Sequence, residues 1–289
     1  MQNYIILIPI YNDWNSLNIL LKKIIDLKIF KKKTTIIIVN DFSKEKIHIR
    51  NFLFKKILNI KIINLKKNIG SQRCIAVGLS YIKSNYLNSN IIIMDGDGED
   101  NPSLIKKLLN FSKKEKNKVI VVNRTVRTEN IFIKILYEIN FINFFLLTHK
   151  FIRFGNFSLL KSTTLNKIKN SKDLWLSYPS TIITNFKNIK SIFAKKEMRY
   201  AGESKMSYFN LFMHVLRILC GLRKKIFFIS MFYIIFLILL YVNTNRILLL
   251  ILILYLILLN ILLFIARPIF LKGIPSNYLD LINNVKKFN

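Results

Sequence analysis

The stretch NIIIMDGDGEDNP, residues 90–102, joins an Ile-rich run to four carboxylates within six residues. The apolar run predicts a buried strand, and the carboxylates follow it directly. Such crowding of negative charge is unfavourable unless a cation neutralises it. Gly96 and Gly98 allow backbone conformations that bring neighbouring carboxylates toward one ion. The stretch therefore predicts a divalent-metal site at the end of a strand, and the alternatives are an acidic loop without an ion or a calcium loop.

The chemistry of this stretch favours Mg²⁺ or Mn²⁺. A hard ion held by few carboxylates keeps coordination positions free for phosphate oxygens, which is how these ions serve pyrophosphate chemistry. A calcium loop of the EF-hand type needs ligands spaced over twelve residues, and the run lacks that spacing. We therefore expect a catalytic centre at Asp95 and Asp97.

On both sides of this stretch, short β-branched runs alternate with longer amphipathic ones. This alternation predicts an α/β fold with a mainly parallel sheet whose strands are covered on both faces. Polar and acidic residues follow several strands, at the edge where open α/β sheets bind ligands. We predict strands at residues 4–10, 34–39, 60–65, 90–94 and 118–122, and helices at residues 16–27, 71–83 and 102–116.

The last third of the chain contains two long apolar runs, at residues 226–242 and 247–266. Each is about long enough to cross a ~30 Å hydrocarbon core as a helix. Basic residues lie outside both runs, and the turn between them carries a single charge. The positive-inside rule therefore predicts a cytoplasmic N-terminal domain and a cytoplasmic C-terminal tail at residues 267–289. We expect no signal peptide, and a pair of buried core helices is the alternative to membrane spans.

Two further segments, residues 131–148 and 208–225, mix apolar residues with charged or polar ones. Charges at this density argue against membrane spans and favour interfacial amphipathic helices, with core helices of the domain as the alternative. The net charge of +31 would suit nucleic-acid binding, but basic residues are spread along the whole chain. We therefore expect a membrane surface, and no nucleic acid, as the partner. Cys74 and Cys220 show no metal-ligand spacing and suit a reducing compartment.

Six motifs follow one another along residues 4–207. They are Pro9-Ile10-Tyr11-Asn12-Asp13; Val39-Asn40-Asp41-Phe42-Ser43; Asn68-Ile69-Gly70 with Arg73, Ala76 and Gly78; Asp95-x-Asp97-x-Glu99-Asp100-x-Pro102; Arg124-x-x-Arg127; and Arg199 with Gly202-Glu203-Ser204-Lys205. In this order they resemble the motifs of family 2 glycosyltransferases with the GT-A fold. The chain is most similar to the polyprenyl-phosphate branch of that family, which includes dolichol-phosphate mannose synthase and bacterial glucosyl and aminoarabinosyl relatives.

The resemblance implies roles for these residues. The nucleotide-sugar would be bound by Pro9, Tyr11, Asp13, Asp41, Asn68, Gly70 and Asp95. The metal on the diphosphate would be held by Asp97 and Glu99. The catalytic group would be Asp95, Asp97, Arg124 and Arg127, and the acceptor phosphate would meet Arg127, Arg199, Ser204 and Lys205. Considered as single residues, Asp13 could instead cap a helix, and Asn68 could simply begin the helix that Gly70 opens.

Two residues depart from the family's pattern. Phe42 replaces a usual glycine, so we expect the loop after the second strand to be shaped differently. Asn156, within FGNFSL at residues 154–159, stands where an aspartate is usual. Asn is a poor proton acceptor, but a lipid monophosphate, with a second pKa of about 6, is already an anion. Such an acceptor needs charge screening and alignment rather than deprotonation; the alternative is that Asn156 indicates a different acceptor.

The sequence thus predicts inverting transfer of a hexose from a UDP- or GDP-sugar to a polyprenyl (undecaprenyl or dolichyl) phosphate. The predicted enzyme is a multi-pass protein of the cytoplasmic (inner) membrane, with residues 1–207 as its GT-A domain, and a homo-oligomer is compatible with this prediction. One alternative is a membrane-anchored glycosyltransferase that acts on a lipid-linked or polysaccharide glycan. The other is a non-catalytic basic membrane adaptor. A processive synthase is disfavoured, because the Gln-x-x-Arg-Trp motif is missing from a chain whose glutamines are Gln2 and Gln72.

Overall fold

The computed structural model describes residues 3–28, 34–45, 59–114, 119–125, 131–149, 153–168, 171–202, 207–244 and 246–288. The chain divides into two compact units. The sheet unit comprises Met1–Thr128, Arg153–Lys205 and Ile274–Asn289, and the helical unit comprises Glu129–Ile152 and Met206–Gly273.

The described part of the sheet unit is built on an eight-stranded mixed sheet. Its strands are β1 (Asn3–Ile10), β2 (Thr34–Asn40), β3 (Ile60–Leu65), β4 (Ser89–Ile93), β5 (Val119–Arg124), β6 (Phe154–Lys161), β7 (Ile189–Ala194) and β8 (Ile282–Phe288). Across the sheet they follow the order β7-β5-β6-β4-β1-β2-β3-β8. The pairs β1–β2, β1–β4, β2–β3 and β5–β7 are parallel, whereas β4–β6, β5–β6 and β3–β8 are antiparallel. The predicted α/β class, with more parallel than antiparallel pairs, is confirmed.

The helices alternate with the strands in the first half of the chain. In chain order they are α1 (Trp14–Asp26), α2 (Ser71–Asn85), α3 (Leu104–Lys114), α4 (Ile131–Thr148), α5 (Asp173–Leu176), α6 (Tyr178–Asn185), α7 (Tyr208–Thr244) and α8 (Ile247–Leu271), with short 3₁₀ turns at Ser162–Lys167 and Tyr278–Leu281. The five strands and three helices predicted before residue 125 are present within a few residues of their expected bounds. The strands β6, β7 and β8 were not predicted.

The core of the sheet unit lies on both faces of the central strands. Every residue of β2 and β4 is buried, which explains the isoleucine runs at residues 36–38 and 91–93. Helix α1 packs its apolar side on the sheet through Leu17, Leu20, Leu21 and Ile24, and each such fully buried side chain contributes about 1.5–3 kcal/mol. Helix α2 approaches β1 so closely that a Cβ at Gly78 would lie 2.4 Å from Cδ1 of Leu7.

The C-terminal residues return to the sheet. Strand β8 pairs antiparallel with β3, and an amide ladder crosses the three edge strands: Asn40 Nδ2 donates to Asn64 Oδ1 (2.9 Å) and Asn64 Nδ2 donates to Asn284 Oδ1 (2.7 Å). The ring of Tyr278 stacks on that of Trp175 at 5.4 Å. The bounds predicted for the cytoplasmic tail, residues 267–289, were therefore wrong. Helix α8 continues to Leu271, and residues from Ile274 onward complete the sheet unit, because β3 offers a free edge to pair with.

The described helices of the helical unit are α4, α7 and α8. Asn260 Nδ2 on α8 donates to Ser230 Oγ on α7 (2.7 Å), and Nε2 of His149, just after α4, lies 3.1 Å from the Tyr233 hydroxyl. Helices Phe209–Thr244 and Ile247–Leu271, with mean hydropathy 2.5 and 3.2, are long and apolar enough to cross a membrane.

Two predicted boundaries are wrong in this unit. Residues 208–225 and 226–242 were predicted as separate helices, but α7 is one helix of 37 residues, since its sequence contains no proline to interrupt it. Residues 131–148 were included in the catalytic domain, but α4 groups with α7 and α8 rather than with the sheet.

Candidate active site

The acidic loop, residues 95–100, follows β4 and precedes α3. Two hydrogen bonds within the loop hold its backbone conformation: the Asp95 N–H donates to Asp100 Oδ2 (3.1 Å) and the Glu99 N–H donates to Asp97 Oδ1 (3.1 Å). The segment around Tyr200 lies along it, with hydrogen bonds from Tyr200 N to Asp97 O and from Glu197 N to Glu99 O, both 3.0 Å. Gly98 has a φ of +92°, and a Cβ there would lie 2.4 Å from the Tyr200 ring. Only glycine fits this turn without moving the ring.

Arg124, at the end of β5, neutralises much of the acidic loop. Its guanidinium lies 3.2 Å from Asp100, 3.7 Å from Glu99 and 3.9 Å from Asp95. These three carboxylates raise the pKa of Arg124 despite its burial, so it remains charged. Lys196 Nζ adds a second cation, 3.1 Å from Glu99. The loop is thus held by side-chain charge pairs as well as by its own backbone.

Arg199 bridges two of the predicted site residues. It donates to Asp97 Oδ2 at 2.8 Å and to Asp13 Oδ2 at 2.6 Å. Asp13 occupies the N-cap position of α1, yet its side chain makes no cap hydrogen bond. The helix-cap alternative for Asp13 is therefore wrong, and its carboxylate belongs to the charged cluster. Arg199, predicted to meet the acceptor phosphate, pairs with carboxylates in this structure.

Burial and neighbouring negative charge raise the pKa values of three carboxyls of the acidic loop, those of Asp95, Glu99 and Asp100. The pKa of Asp95 rises to about 7 because of its burial and its neighbours Asp100 and Asp97, against the opposing effects of Arg124 and Asn156. Burial likewise raises the pKa values of Glu99 and Asp100. Yet 26% of the Asp95 side chain, 19% of Asp97 and 16% of Glu99 are exposed. These carboxylates are accessible to a ligand that brings positive charge or hydrogen-bond donors.

Asn156, on β6, contacts Asp95 directly. Its Nδ2 donates to Asp95 Oδ1 (2.8 Å), and its Oδ1 accepts from Nε2 of Gln72 (2.9 Å). Gln72 Oε1 in turn accepts from the Tyr178 backbone N–H (2.8 Å). The residue that replaces the usual aspartate is thus hydrogen-bonded on both sides.

The loop after β2 contains Asp41, whose carboxylate is held by backbone. It accepts from the N–H groups of Ile69 (2.7 Å) and Gly70 (2.8 Å), at the start of α2, and Asn68 Nδ2 donates to the Asp41 carbonyl (3.2 Å). Asp41 is 3% exposed, and this burial raises its pKa. The structure therefore brings together three residues that were predicted to share one site: Asp41, Asn68 and Gly70. Their contacts with one another stabilise the fold.

Phe42, which replaces the usual glycine, keeps a backbone conformation that favours glycine. Its φ is +58° and its ring is 54% exposed. Phe42 therefore has a backbone φ that a glycine could also adopt. The difference from a glycine at this position is the exposed aromatic ring. Tyr11, at the end of β1, is also exposed, whereas Pro9 lies within β1 and is buried.

Three predicted residues, Arg127, Ser204 and Lys205, lie outside the described residues. Within the described ranges, no group of three or more His, Cys, Asp or Glu side chains is arranged to hold a metal ion. The residues present still fit one, because Asp97 and Glu99 are partly exposed carboxylates, and Mg²⁺ commonly needs one or two carboxylates plus substrate phosphates.

Three residues of this site were not predicted. Lys196 and Gln72 carry no motif signal, because they meet Glu99 and Asn156 only through the tertiary fold. Asp100 was part of the acidic motif without a role, and its contact with both the Asp95 N–H and Arg124 makes it an internal support of the loop. The available signal was the place of Asp100 as the last carboxylate of the acidic motif.

Known proteins resemble this chain in sequence and in fold. A sequence relative is the uncharacterized glycosyltransferase sll0501 of Synechocystis sp., 25% identical over 226 residues that cover 71% of this chain and 65% of that protein's length. The crystal structure of S. aureus TarS 1–349 matches with a TM-score of 0.50 at 13% identity, covering 78% of this chain and 65% of that chain. Glucosyl-3-phosphoglycerate synthase from Mycobacterium tuberculosis, in complex with Mn²⁺, UDP-Glc and phosphoglyceric acid, matches with a TM-score of 0.54 at 10% identity, covering 78% and 80%. At such identities the structural likeness concerns the fold.

The family model for glycosyl transferase family 2 matches residues 5–172. This range is more than half of the chain and contains the strands that position the acidic loop, Asp41 and Asn156. The chain belongs to glycosyl transferase family 2.

Proposed function

We propose that this protein transfers a hexose, with inversion, from a nucleotide-sugar to a polyprenyl phosphate at the cytoplasmic face of a membrane. The observation that carries the proposal is the acidic loop, whose partly exposed Asp97 and Glu99 are paired with the side chains of Arg199 and Lys196. A side-chain cation can leave its partner when a ligand supplies positive charge in its place. A nucleotide-sugar diphosphate with a divalent ion is such a ligand.

Asp97 and Glu99 are the residues that would hold Mg²⁺ or Mn²⁺. When bound, the ion neutralises the charge that develops on the leaving diphosphate. The resemblance to the fold of the M. tuberculosis synthase, whose complex contains Mn²⁺ and UDP-Glc, supports testing UDP-sugars with Mn²⁺ first. Asp95, beside Asn156, would accept hydrogen bonds from the nucleotide-sugar, with Tyr11 and Asp13 near the nucleoside.

The proposed reaction is a single displacement. An oxygen of the acceptor phosphate forms a bond to the anomeric carbon, the bond from that carbon to the β-phosphate oxygen breaks, and the nucleoside diphosphate leaves with the bonding electrons. No base has to remove a proton, because a phosphate monoester with a second pKa of about 6 is largely a dianion at neutral pH. Arg124 and the predicted Arg127 would balance the phosphate charge, which suits a site in which Asn156 replaces a carboxylate.

The connection between the two units supports a membrane hairpin. The chain leaves the sheet unit after Lys205 and returns to it at Ile274, where β8 joins β3. If α7 and α8 both cross the membrane, their outer ends are on one side, because both ends connect to the same sheet. The basic residues that flank the two apolar runs favour the cytoplasm as that side. A polyprenyl phosphate presents its phosphate at the headgroup level on that same side of the membrane.

The experiment is a transfer assay with the purified full chain in detergent. Labelled UDP-glucose, UDP-N-acetylglucosamine and GDP-mannose are supplied in turn with undecaprenyl or dolichyl phosphate, and with Mn²⁺ or a chelator. We expect a lipid-soluble labelled product with one donor, lost with the chelator and in Asp97→Ala. The matched control is Asp280→Asn, which removes an exposed carboxylate far along the chain and should leave activity unchanged.

Other outcomes distinguish the alternatives. Label that enters a lipid-linked oligosaccharide but not the polyprenyl phosphate would reassign the acceptor and keep the enzyme class. Absence of nucleotide-sugar binding in the presence of Mn²⁺ would favour the non-catalytic membrane adaptor. Metal-independent transfer by Asp97→Ala would contradict the role given to Asp97.

A further inference from the structure

The hydrogen bonds between Tyr178, Gln72, Asn156 and Asp95 have a fixed direction. A backbone N–H can only donate, so the Tyr178 N–H requires the oxygen of Gln72 to face it. The Gln72 amide nitrogen then faces Asn156, whose oxygen accepts from it at 2.9 Å. The Asn156 nitrogen therefore faces Asp95, at 2.8 Å. Side-chain amides are often ambiguous in orientation, but here a group that cannot be reversed sets both of them.

This direction matters because Asp95 is the last acceptor in this series of hydrogen bonds. Its Oδ1 accepts from Asn156, while Oδ2 lies 3.9 Å from Arg124 and its backbone N–H is bonded to Asp100. The carboxylate is thus oriented by Asn156 at one oxygen and by Arg124 near the other, and about a quarter of the side chain is exposed. An aspartate at position 156 could also accept from Gln72, but its second oxygen would then oppose an oxygen of Asp95.

We propose that Gln72 and Asn156 are positioning residues, which form a one-way amide relay that presents Asp95 as a hydrogen-bond acceptor to hydroxyl groups of the nucleotide-sugar. The inference rests on the proposed function, since it assigns Asp95 to the donor. The relay is well placed for this task, because Asn156 is 6% exposed and Tyr178 is fully buried. Positioning of this kind acts on donor affinity and leaves the acceptor site unaffected.

The sheet provides a matched control for this relay. The ladder Asn40–Asn64–Asn284 is also a chain of side-chain amides with similar distances, and Asn64, like Gln72, is half-buried in its middle. Asn64 contacts Asn40 and Asn284 across the sheet edge rather than the acidic loop. Asn64→Asp and Gln72→Glu therefore make the same change, from an amide to a carboxylate, in two comparable networks.

The test compares these two variants by steady-state kinetics. In Gln72→Glu, the new carboxylate accepts from Tyr178 with one oxygen, and its other oxygen can only accept. Asn156 must then turn its nitrogen toward this new carboxylate and its oxygen toward Asp95, which loses its donor. We expect kcat/KM for the nucleotide-sugar to fall about 10- to 100-fold, the usual effect of losing a hydrogen bond to a charged group. The KM for the acceptor should be unchanged, and Asn64→Asp should stay within about twofold of wild type.

A second variant protects the test against misfolding. Gln72→Met keeps the side-chain length and frees Asn156 to adopt either orientation, so kcat/KM for the donor should fall less than in Gln72→Glu. A merely structural role predicts that the losses follow the thermal unfolding midpoints instead, and that KM for the acceptor changes as well. The exchanged pair Asp95→Asn with Asn156→Asp restores a hydrogen bond between the two positions but moves the carboxylate; it should fold and remain impaired.

The failures of the two proposals are separable. If wild type neither binds nor transfers any nucleotide-sugar, the proposed function fails. If wild type transfers sugar while Gln72→Glu matches Asn64→Asp, or if the exchanged pair regains wild-type kinetics, the relay is overturned and the function stands.

Discussion

Asp41 follows β2 and the acidic loop follows β4, on either side of β1 in the sheet. The Asp41 carboxylate accepts from two backbone N–H groups that begin α2, and it is almost fully buried. Asp97 and Glu99 are instead paired with Arg199 and Lys196, and they are partly exposed. Carboxylates at the same edge of one sheet are therefore held by backbone in one loop and largely by side-chain cations in the other.

This difference separates a carboxylate that stabilises the fold from carboxylates that can exchange one cationic partner for another. Backbone N–H groups at a helix start cannot move away without unfolding that turn, so Asp41 contributes mainly to the structure. A side-chain cation can rotate away when another cation approaches, so Asp97 and Glu99 can change partners at little cost. We expect substitutions in the acidic loop to affect catalysis more than stability, and the substitution of Asp41 to do the reverse.

The largest expected effect is that of Asp97→Ala on catalysis. Loss of a group that stabilises charge on the transferring diphosphate should lower kcat/KM by about 10³-fold or more. Stability should fall by only about 1–2 kcal/mol, because the Glu99 N–H loses its acceptor Asp97 Oδ1 while Arg199 keeps Asp13 as a partner. Transfer kinetics and thermal unfolding of the same preparation check both statements. A loss of stability as large as the loss of activity would contradict the comparison.

Arg124→Met should have the largest effect on stability. Arg124 is the shared partner of Asp95, Glu99 and Asp100, and its removal leaves buried negative charge without compensation. Breaking such a pair costs about 3–5 kcal/mol, and methionine retains most of the packing volume. Denaturant unfolding measures the change. Lys107→Met, which removes an exposed cation of α3, serves as the control; an equal cost there would argue against a special role for Arg124.

Asp41→Asn should destabilise the protein with a smaller effect on chemistry. The substitution places an NH₂ donor against the N–H of Ile69 or Gly70 and leaves a buried donor unsatisfied, at a cost of about 1–3 kcal/mol. At a temperature where both proteins are folded, kcat should stay within about threefold of wild type. A loss of kcat comparable to that of Asp97→Ala would show that Asp41 acts on the substrate and not mainly on α2.

Much of this fold is predictable because its central strands are buried on both faces. The Ile-rich runs that become β1 to β4 are visible in sequence for that reason. Strand β8 (INNVKKF) is polar along most of its length, because it covers an edge, and its pairing joins Asn64 with Asn284. No local pattern predicts such a contact between distant parts of the chain.

The candidate site also has a part that the sequence predicts and a part that depends on the tertiary fold. Motif order brings together Asp95, Asp97 and Arg124 in the prediction, since each follows a strand of the sheet. The pairs Arg199–Asp13 and Gln72–Asn156 join residues 186 and 84 positions apart. These pairs depend on how the segments pack, so the sequence identified Asp13, Arg199 and Asn156 without showing how they pair, and it did not identify Gln72.

The pH dependence of stability tests whether the acidic loop raises the pKa of Asp95 in the folded protein. Asp95, with a pKa raised to about 7, binds its proton more tightly in the folded chain than in the unfolded one. Its contribution is therefore greatest below pH ~4 and is lost as pH rises from about 4 to about 7, by at most about 1.4 kcal/mol per pH unit. The exposed part of the side chain is stabilised by water, so we expect nearer 1 kcal/mol between pH 5 and pH 7. Thermal unfolding without donor, in wild type and Asp95→Asn, should show a shallower pH slope in the variant.

The smallest expected effect is that of Phe42→Gly, in the loop that also contains Asp41. The left-handed φ of +58° costs a non-glycine residue about 1–2 kcal/mol, and glycine removes this cost but loses about 0.5–1 kcal/mol more entropy on folding. The net gain in stability should be about 0.5 kcal/mol, measured by denaturant unfolding. If the exposed ring only covers the loop, KM for the nucleotide-sugar stays at the wild-type value. If that KM rises while stability also rises, Phe42 is held in a strained conformation because it contacts the donor, and the backbone-held loop takes part in binding as well as in folding.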